Sequence, residues 1–238
     1  MEPWVIVPGY LADAQEYNGL RQTLGDRGEV ATVVPLRWWD WLVTLGGRPV
    51  TPILEALAAT VERVLQETGA PRVRLLAHSA GGWVSRVYLG DRPYCGQTWH
   101  GRERVTTLVS LGTPHTSRER WTRRNLDFVN ETYPGAFYDE VRYICLAGKS
   151  VFGDRRPQSL AAWIAANSYE MTAGERHTWG DGISPIVSAH LDRACNVVLP
   201  GVHHAPRAGL WYGSPEAIDR WFPYVLHPNP TVNVSWLA

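Results

Sequence analysis

Short apolar runs alternating with longer stretches of helical period constrain this chain more than any other feature. Trp4 to Val7, Ala31 to Leu36, Val73 to Ala77, Val105 to Leu111, Val141 to Ala147 and Cys195 to Leu199 are mainly apolar at successive positions. A strand with one wet face alternates, whereas a continuous run is buried on both faces, as in a parallel sheet covered by helices. The helices fall between the runs. Asp13 to Leu24 carries Tyr17, Leu20 and Leu24 on one face, and Thr51 to Glu67 carries Ile53, Leu54, Leu57, Val61, Val64 and Leu65 on one stripe ended by Gly69. Ala80 to Leu89 and Ser214 to Val225 read as two further helices. Arg118 to Tyr133 and Gln158 to Thr172, placed between late strands, read as parts of a cap. The expected fold class is therefore α/β, a doubly wound, mostly parallel sheet with a helical cap insertion. Pro and Gly punctuation is local, so one domain is expected over residues 1–238, with cap or lid segments at 113–140 and 150–178; the tail after His227, with Pro228 and Pro230, reads as an extended surface segment.

Composition narrows the function classes. Apolar residues make up 45% and charged residues 19% of the 238, enough core material for a chain that folds alone. Lys plus Arg and Asp plus Glu both number 23, so no net positive field draws nucleic acid to the surface, and no nucleic-acid partner is expected. Cys95, Cys145 and Cys195 are too few, and odd in number, for a disulfide framework. No His, Cys or carboxylate spacing suggests a metal and no phosphate-cradling glycine motif appears, so neither metal nor cofactor is expected. No basic leader precedes Trp4 and no apolar stretch approaches the ~18 residues of a membrane span, which reads as a cytoplasmic or other soluble compartment.

The strongest chemical signal is Leu76-Ala77-His78-Ser79-Ala80-Gly81-Gly82, a buried strand meeting a helix with a serine at the junction. A serine on so sharp a turn needs minimal side chains two positions before and after it, which Ala77 and Gly81 supply as A-x-S-x-G in place of G-x-S-x-G. Such an elbow exposes the hydroxyl as a nucleophile. A serine hydroxyl is weak at neutral pH, so it needs a histidine to take its proton and a carboxylate to orient that imidazole.

On these residues the sequence resembles the α/β-hydrolase superfamily, in its lipase and esterase branch written with A-H-S-x-G-G at the elbow. Val5-Ile6-Val7-Pro8-Gly9-Tyr10 is similar to the strand and loop that supply an oxyanion-hole amide in that branch, and Leu111-Gly112-Thr113-Pro114-His115 to its L-G-T-P-H segment. The resemblance covers roughly residues 4 to 225 and implies a sheet of the α/β-hydrolase type. It implies Ser79 as nucleophile, with the amides of Tyr10 and Ala80 as the oxyanion hole. Trp179-Gly180-Asp181-Gly182-Ile183-Ser184-Pro185 is similar to the branch's G-D-G-x-x-P loop, which implies Asp181 as the acid; Asp154, nearer the end of the Val141 to Ala147 run, is the rival. Gly201-Val202-His203-His204-Ala205-Pro206 offers two histidines, and the branch's G-V-x-H register implies His204. Adjacent residues in extended chain point to opposite sides, so His203 then turns away.

Twelve tryptophans call for an explanation, and Trp38, Trp39 and Trp41 cluster on a loop after the second strand. With Leu11 and His78 they are candidates for a substrate pocket, Trp211 and Tyr212 follow the histidine pair closely, and such aromatics also suit transient contact with a membrane surface. Core packing explains the tryptophans equally well. The expected activity is hydrolysis of a small-molecule carboxylic ester or lipid through an acyl-enzyme. Acyl transfer to an alcohol uses the same residues, and a catalytically silent fold that binds an apolar ligand or partner protein is the reading from another class. Oligomeric state is left open.

Overall fold

A computed structural model describes residues 2–154, 159–206 and 209–227, apart from the side chain of Trp121. Along the chain run β1 (Trp4–Val7), α1 (Asn18–Gly25), β2 (Ala31–Val33), α2 (Thr51–Thr68), β3 (Val73–His78), α3 (Ala80–Leu89), β4 (Val105–Leu111), α4 (Arg120–Thr132), β5 (Arg142–Lys149), β6 (Val151–Phe152), α5 (Leu160–Ala173), β7 (Trp179–Gly180), α6 (Ile186–Ala189), β8 (Cys195–Pro200) and α7 (Pro215–Leu226). Short 3-10 stretches cover Ala14–Tyr17 and Trp38–Thr44. Every expected strand and helix has a counterpart. β2 stops at Val33 rather than Leu36, because Pro35 has no N–H to continue the ladder. Residue 158, where the second cap helix was expected to begin, and the tail from 228 lie outside the described residues.

Six strands form one parallel sheet in the order β2-β1-β3-β4-β5-β8. Period-two alternation along each strand divides the core into two layers. Val5, Val7, Leu75, Ala77 and Leu108 face one way and pack with Ile53, Leu54 and Leu57 of α2, Val84 and Val87 of α3, and Leu126 and Val129 of α4. Trp4, Ile6, Leu76, Val109 and Ile144 face the other way, against Leu20 and Leu24 of α1 and Ile218 and Trp221 of α7. Each of these valine, leucine and isoleucine side chains, fully buried, contributes about 1.5–3 kcal/mol through removal from water.

From β1 the chain crosses to β2 on one side, then returns past β1 to β3 and continues outward. The sheet reverses its winding between β1 and β3, and the loops at the carboxyl ends of those strands part to leave a crevice there. Of the expected cap segments 113–140 and 150–178, Pro114 and Ser117 from the first and Met171 and Thr172 from the second line that crevice, whereas the second half of the first segment packs on the sheet face through Tyr133, Ala136 and Tyr138, and residues 155–158 lie outside the described residues. The first turns of α4 face the crevice through Thr122 and Asn125, while Leu126 and Val129 in the middle of the helix enter the core of the sheet face. Between β5 and β8 the chain makes an excursion through α5, closed at its neck by β6 pairing antiparallel with β7. Tyr169 of α5, fully buried, ties the excursion down by donating to the Val151 carbonyl and accepting from the Gly182 amide.

Candidate active site

β3 is buried along its length and passes into α3 through Ser79 alone. Ser79 has φ 51° and ψ −127°, in the left-handed region that favours glycine. The surroundings hold it there. Its amide donates to the Leu111 carbonyl at 2.9 Å, its carbonyl accepts from Gly82 at 3.0 Å, and the loop after β1 packs on the first turn of α3. A Cβ at Gly81 would lie 2.7 Å from the Val7 carbonyl oxygen and 2.8 Å from that of Pro8, so only glycine permits this approach.

Three side chains from three strand ends meet at this turn. Ser79 Oγ lies 3.0 Å from His204 Nε2, and His204 Nδ1 lies 2.8 Å from Asp181 Oδ2. A carboxylate only accepts, so Nδ1 carries the proton of the neutral ring and Nε2 is left to accept from the serine hydroxyl. Asp181 is buried after β7, and its Oδ1 accepts from the amides of Ile183 and Ser184 at 3.0 and 2.7 Å. Burial pushes its carboxyl up, but the His204 charge and hydrogen bond and the two amides outweigh that, and the net shift is downward. Gly112, at φ 56°, makes room for it, since a Cβ there would lie 2.4 Å from Asp181 Oδ2.

The two adjacent histidines part because their amides pair in different directions: His204 N–H donates to the Asp181 carbonyl at 3.0 Å and His203 N–H to that of Leu210 at 2.8 Å. His203 accordingly sits beside Trp211, away from Ser79. Asp154 is half exposed with its carboxylate 3.5 Å from His177 Nδ1, and the carboxylate on His204 Nδ1 is that of Asp181.

Ser79, Ala80 and Tyr10 open on one cavity of about 400 Å³, whose walls include Trp41, Val50, Trp83, Pro114 and Met171. Ala80 begins α3, where the first backbone N–H groups have no partner within the helix. Tyr10 sits in a turn closed by Ala12 N–H on the Gly9 carbonyl, with Leu11 at φ 56°, and its ring meets Trp41 edge-on at 5.2 Å. Of the candidate pocket residues the structure brings Trp41 alone to the wall. Trp38 and Trp39 are 44% and 45% exposed and pack edge to face on each other, Leu11 is 42% exposed, and His78 lies buried beneath His204; none of these four lines the cavity. In the 3-10 stretch over 38–44 the buried positions are Trp41 and Thr44, three apart on one face, while Trp38, at the first position of the stretch, and Trp39 stay exposed.

Two tyrosines belong to the surroundings of the site: Tyr212, which the sequence offered as a pocket aromatic and which does not line the cavity, and Tyr17, which sequence reasoning did not assign to it. Tyr212 donates to Asp181 Oδ2 at 2.8 Å and accepts from the Gly148 amide at 2.7 Å; burial and the neighbouring carboxylate push its hydroxyl well up, so it stays a donor. Tyr17 accepts from the Gly9 amide and meets His78 Nδ1. Tyr17 carries no sequence signal beyond its place on the buried face of a helix, and Tyr212 none beyond its closeness to the histidine pair. Among the described residues no group of three or more His, Cys, Asp and Glu is placed to hold a metal ion.

No family model matches the chain. Over 65 residues, 27% of its length, it is 37% identical to proteins named triacylglycerol lipase from Pseudarthrobacter phenanthrenivorans and Burkholderia plantarii. The matched stretch spans only 18% and 16% of those proteins. Among solved structures it is similar to Bacillus licheniformis lipase BlEst2 in its mature form, with TM-score 0.64, 19% identity and 94% of this chain and 90% of that one covered. It is also similar to Est1E from Butyrivibrio proteoclasticus, with TM-score 0.51, 11% identity and 94% and 88% covered. The six-stranded parallel sheet, its flanking helices and these neighbours together show that the chain has the α/β-hydrolase fold.

Proposed function

We propose that this protein hydrolyses a lipophilic carboxylic ester through an acyl-enzyme on Ser79. The observation that carries the reading is the hydrogen-bonded sequence Ser79, His204, Asp181 opening on an apolar cavity. His204 takes the serine proton as Oγ attacks the ester carbonyl carbon, and the amides of Tyr10 and Ala80 receive the oxyanion. His204 then returns the proton to the departing alcohol, and in a second round activates the water that releases the acid. Asp181 keeps the imidazole in the needed tautomer and stabilises its charged form.

The cavity suits an acyl group, since most of its exposed wall is apolar, with Thr44, Ser117, Glu119, Thr122, Asn125 and Thr172 adding polar points to it. The start of segment 113–140, through the first turns of α4, and α5 of segment 150–178 act as its cap within one domain, a role supported by Pro114 and Thr122 from the first and Met171 and Thr172 from the second on the cavity wall. Leu45 and Met171 of the cavity wall are exposed, as are Leu42 and Val43 next to the first in the chain and Leu160, Trp163 and Ile164 of α5 with the second, apolar surface suited to transient contact with a lipid surface. No helix among the described residues is long and apolar enough to cross a membrane. The relatives named lipase support a substrate of this class.

The test is reaction with a fluorophosphonate probe, followed by hydrolysis of p-nitrophenyl esters from short to long acyl chain. We expect labelling at Ser79 and turnover of these esters, both abolished in Ser79→Ala with no loss of thermal stability. Labelling that persists in Ser79→Ala places the nucleophile elsewhere and overturns the reading.

A further inference from the structure

Beneath the site a buried chain of hydrogen bonds joins the loop after β1 to the loop after β8. Gly9 N–H donates to the Tyr17 hydroxyl oxygen at 2.8 Å, the Tyr17 hydroxyl lies 2.7 Å from His78 Nδ1, and His78 Nε2 lies 3.0 Å from the carbonyl oxygen of His204. A carbonyl only accepts, so Nε2 carries the His78 proton and Nδ1 of the neutral ring accepts from Tyr17. The tyrosine oxygen is then left to accept from Gly9. Each link therefore has one direction.

Its two ends are the two halves of the proposed machinery. Gly9 precedes Tyr10, whose amide would receive the oxyanion, and His204 is the proposed base. Tyr17 and His78 are buried and absent from the cavity wall, so neither reaches a substrate there. The His78 ring lies 4.8 Å from that of His204 and meets Trp211 edge-on at 6.0 Å, so its orientation is fixed by packing as well as by bonds.

Resting on the reading above, we propose that Tyr17 and His78 are positioning residues that hold the oxyanion-hole loop and the general base in one register. The residue beneath His204 must link two backbones and add no charge beside an imidazole that becomes cationic during turnover. His78 meets both needs, because burial and the charge of His204 push its pKa down to about 3.

The experiment is steady-state kinetics on p-nitrophenyl esters, with thermal melts, for Tyr17→Phe, His78→Phe, His78→Gln and the double variant Tyr17→Phe with His78→Phe. Phenylalanine at 78 keeps a ring but makes neither bond, whereas glutamine retains both a donor and an acceptor. We expect kcat to fall about tenfold in Tyr17→Phe and about a hundredfold in His78→Phe, the loss that displacement by about an ångström produces, with KM changed less than about twofold. His78→Gln should recover most of kcat. The double variant should be no slower than His78→Phe, because the chain is already broken. Unchanged kcat in both single variants, losses that multiply in the double variant, or losses that appear in KM or only in step with melting overturn the inference. If His78→Phe does not fold, Tyr17→Phe decides alone, a lower kcat at constant KM supporting the inference and an unchanged kcat overturning it. Wild-type protein inert to both esters and fluorophosphonate sinks the hydrolase reading, and this inference with it; active wild type with indifferent variants sinks only the inference.

Discussion

At Asp181 a buried carboxylate is kept ionised by what surrounds it, and Tyr212 is the member of that shell whose removal is most informative. Its hydroxyl donates to Oδ2 beside His204 Nδ1 while accepting from Gly148 N–H. Tyr212→Phe leaves a buried amide without its acceptor and one carboxylate oxygen without a donor, at a cost of about 1–3 kcal/mol. Urea denaturation should show that loss, and kcat should fall about tenfold as the carboxylate holds the imidazole less firmly. The tryptophans separate by the same logic of contact. Trp41→Ala should cost about 3–5 kcal/mol, because the ring is fully buried between core and cavity, and should shift ester preference toward longer chains. Trp38→Ala and Trp39→Ala should stay within about 0.5 kcal/mol in thermal melts and leave that preference unchanged.

The elbow between β3 and α3 belongs to the scale of elements, since it works only with the loop after β1 laid against it. Gly81→Ala sets a methyl against the carbonyl oxygens of Val7 and Pro8, backbone atoms that must move. Thermal melts should register about 1–3 kcal/mol of destabilisation, and kcat should drop about a hundredfold because the displaced loop carries Tyr10. Gly19→Ala in α1 is the control: nothing lies within 4 Å of the added methyl, so stability should rise, by up to about 1 kcal/mol. Elements of this kind were legible in the sequence because their signals are local. The run Val105 to Leu111 is β4 to the residue, and Ala80 to Leu89 is α3 to the residue. Boundaries moved where one residue's covalent chemistry intervened, as Pro35 did at the end of β2. The burial of α4 was not legible, because whether a helix between late strands covers a pocket or a sheet face depends on how the sheet turns beneath it.

For the molecule as a whole, buried histidines set the response to acid. Burial pushes His78 down to about 3 and His115 well below the usual imidazole range, His204 adding to the first shift and Arg86 to the second. Their unfolded values lie near ~6.5. Between the folded and unfolded values the unfolded chain binds more protons, so stability falls as pH falls through that window and is fully present above it. Asp181 acts elsewhere, since a lowered carboxyl contributes stability that is lost only below its ordinary value of 3.8. Melting temperature should therefore decline steadily from pH ~7 to ~4, with His78 supplying on the order of 3 kcal/mol of that loss. His78→Gln should flatten the decline; an unchanged slope would show that His78 does not drive it.

The sequence by itself determined the class of fold and the small set of residues able to do chemistry. Apolar runs buried on both faces require a covered parallel sheet, and a serine between Ala77 and Gly81 at a strand-to-helix junction reads as an exposed nucleophile. Resemblance to the lipase branch nominated Asp181 and His204 as its partners, over the rivals Asp154 and His203, and the fold brings Ser79, His204 and Asp181 within hydrogen-bond distance. Only the tertiary structure decided which way each side chain faces. The rotation after Gly201 that turns His204 inward and His203 outward depends on the carbonyls of Asp181 and Leu210, which belong to other stretches of chain. The same holds for Trp41 against its neighbours, and for Tyr17 and Tyr212, whose hydroxyls have partners far away in sequence. Periodicity reports which residues are buried, because burial follows from the chain's own repeat; what a buried polar atom touches is set by segments that meet only when the sheet closes.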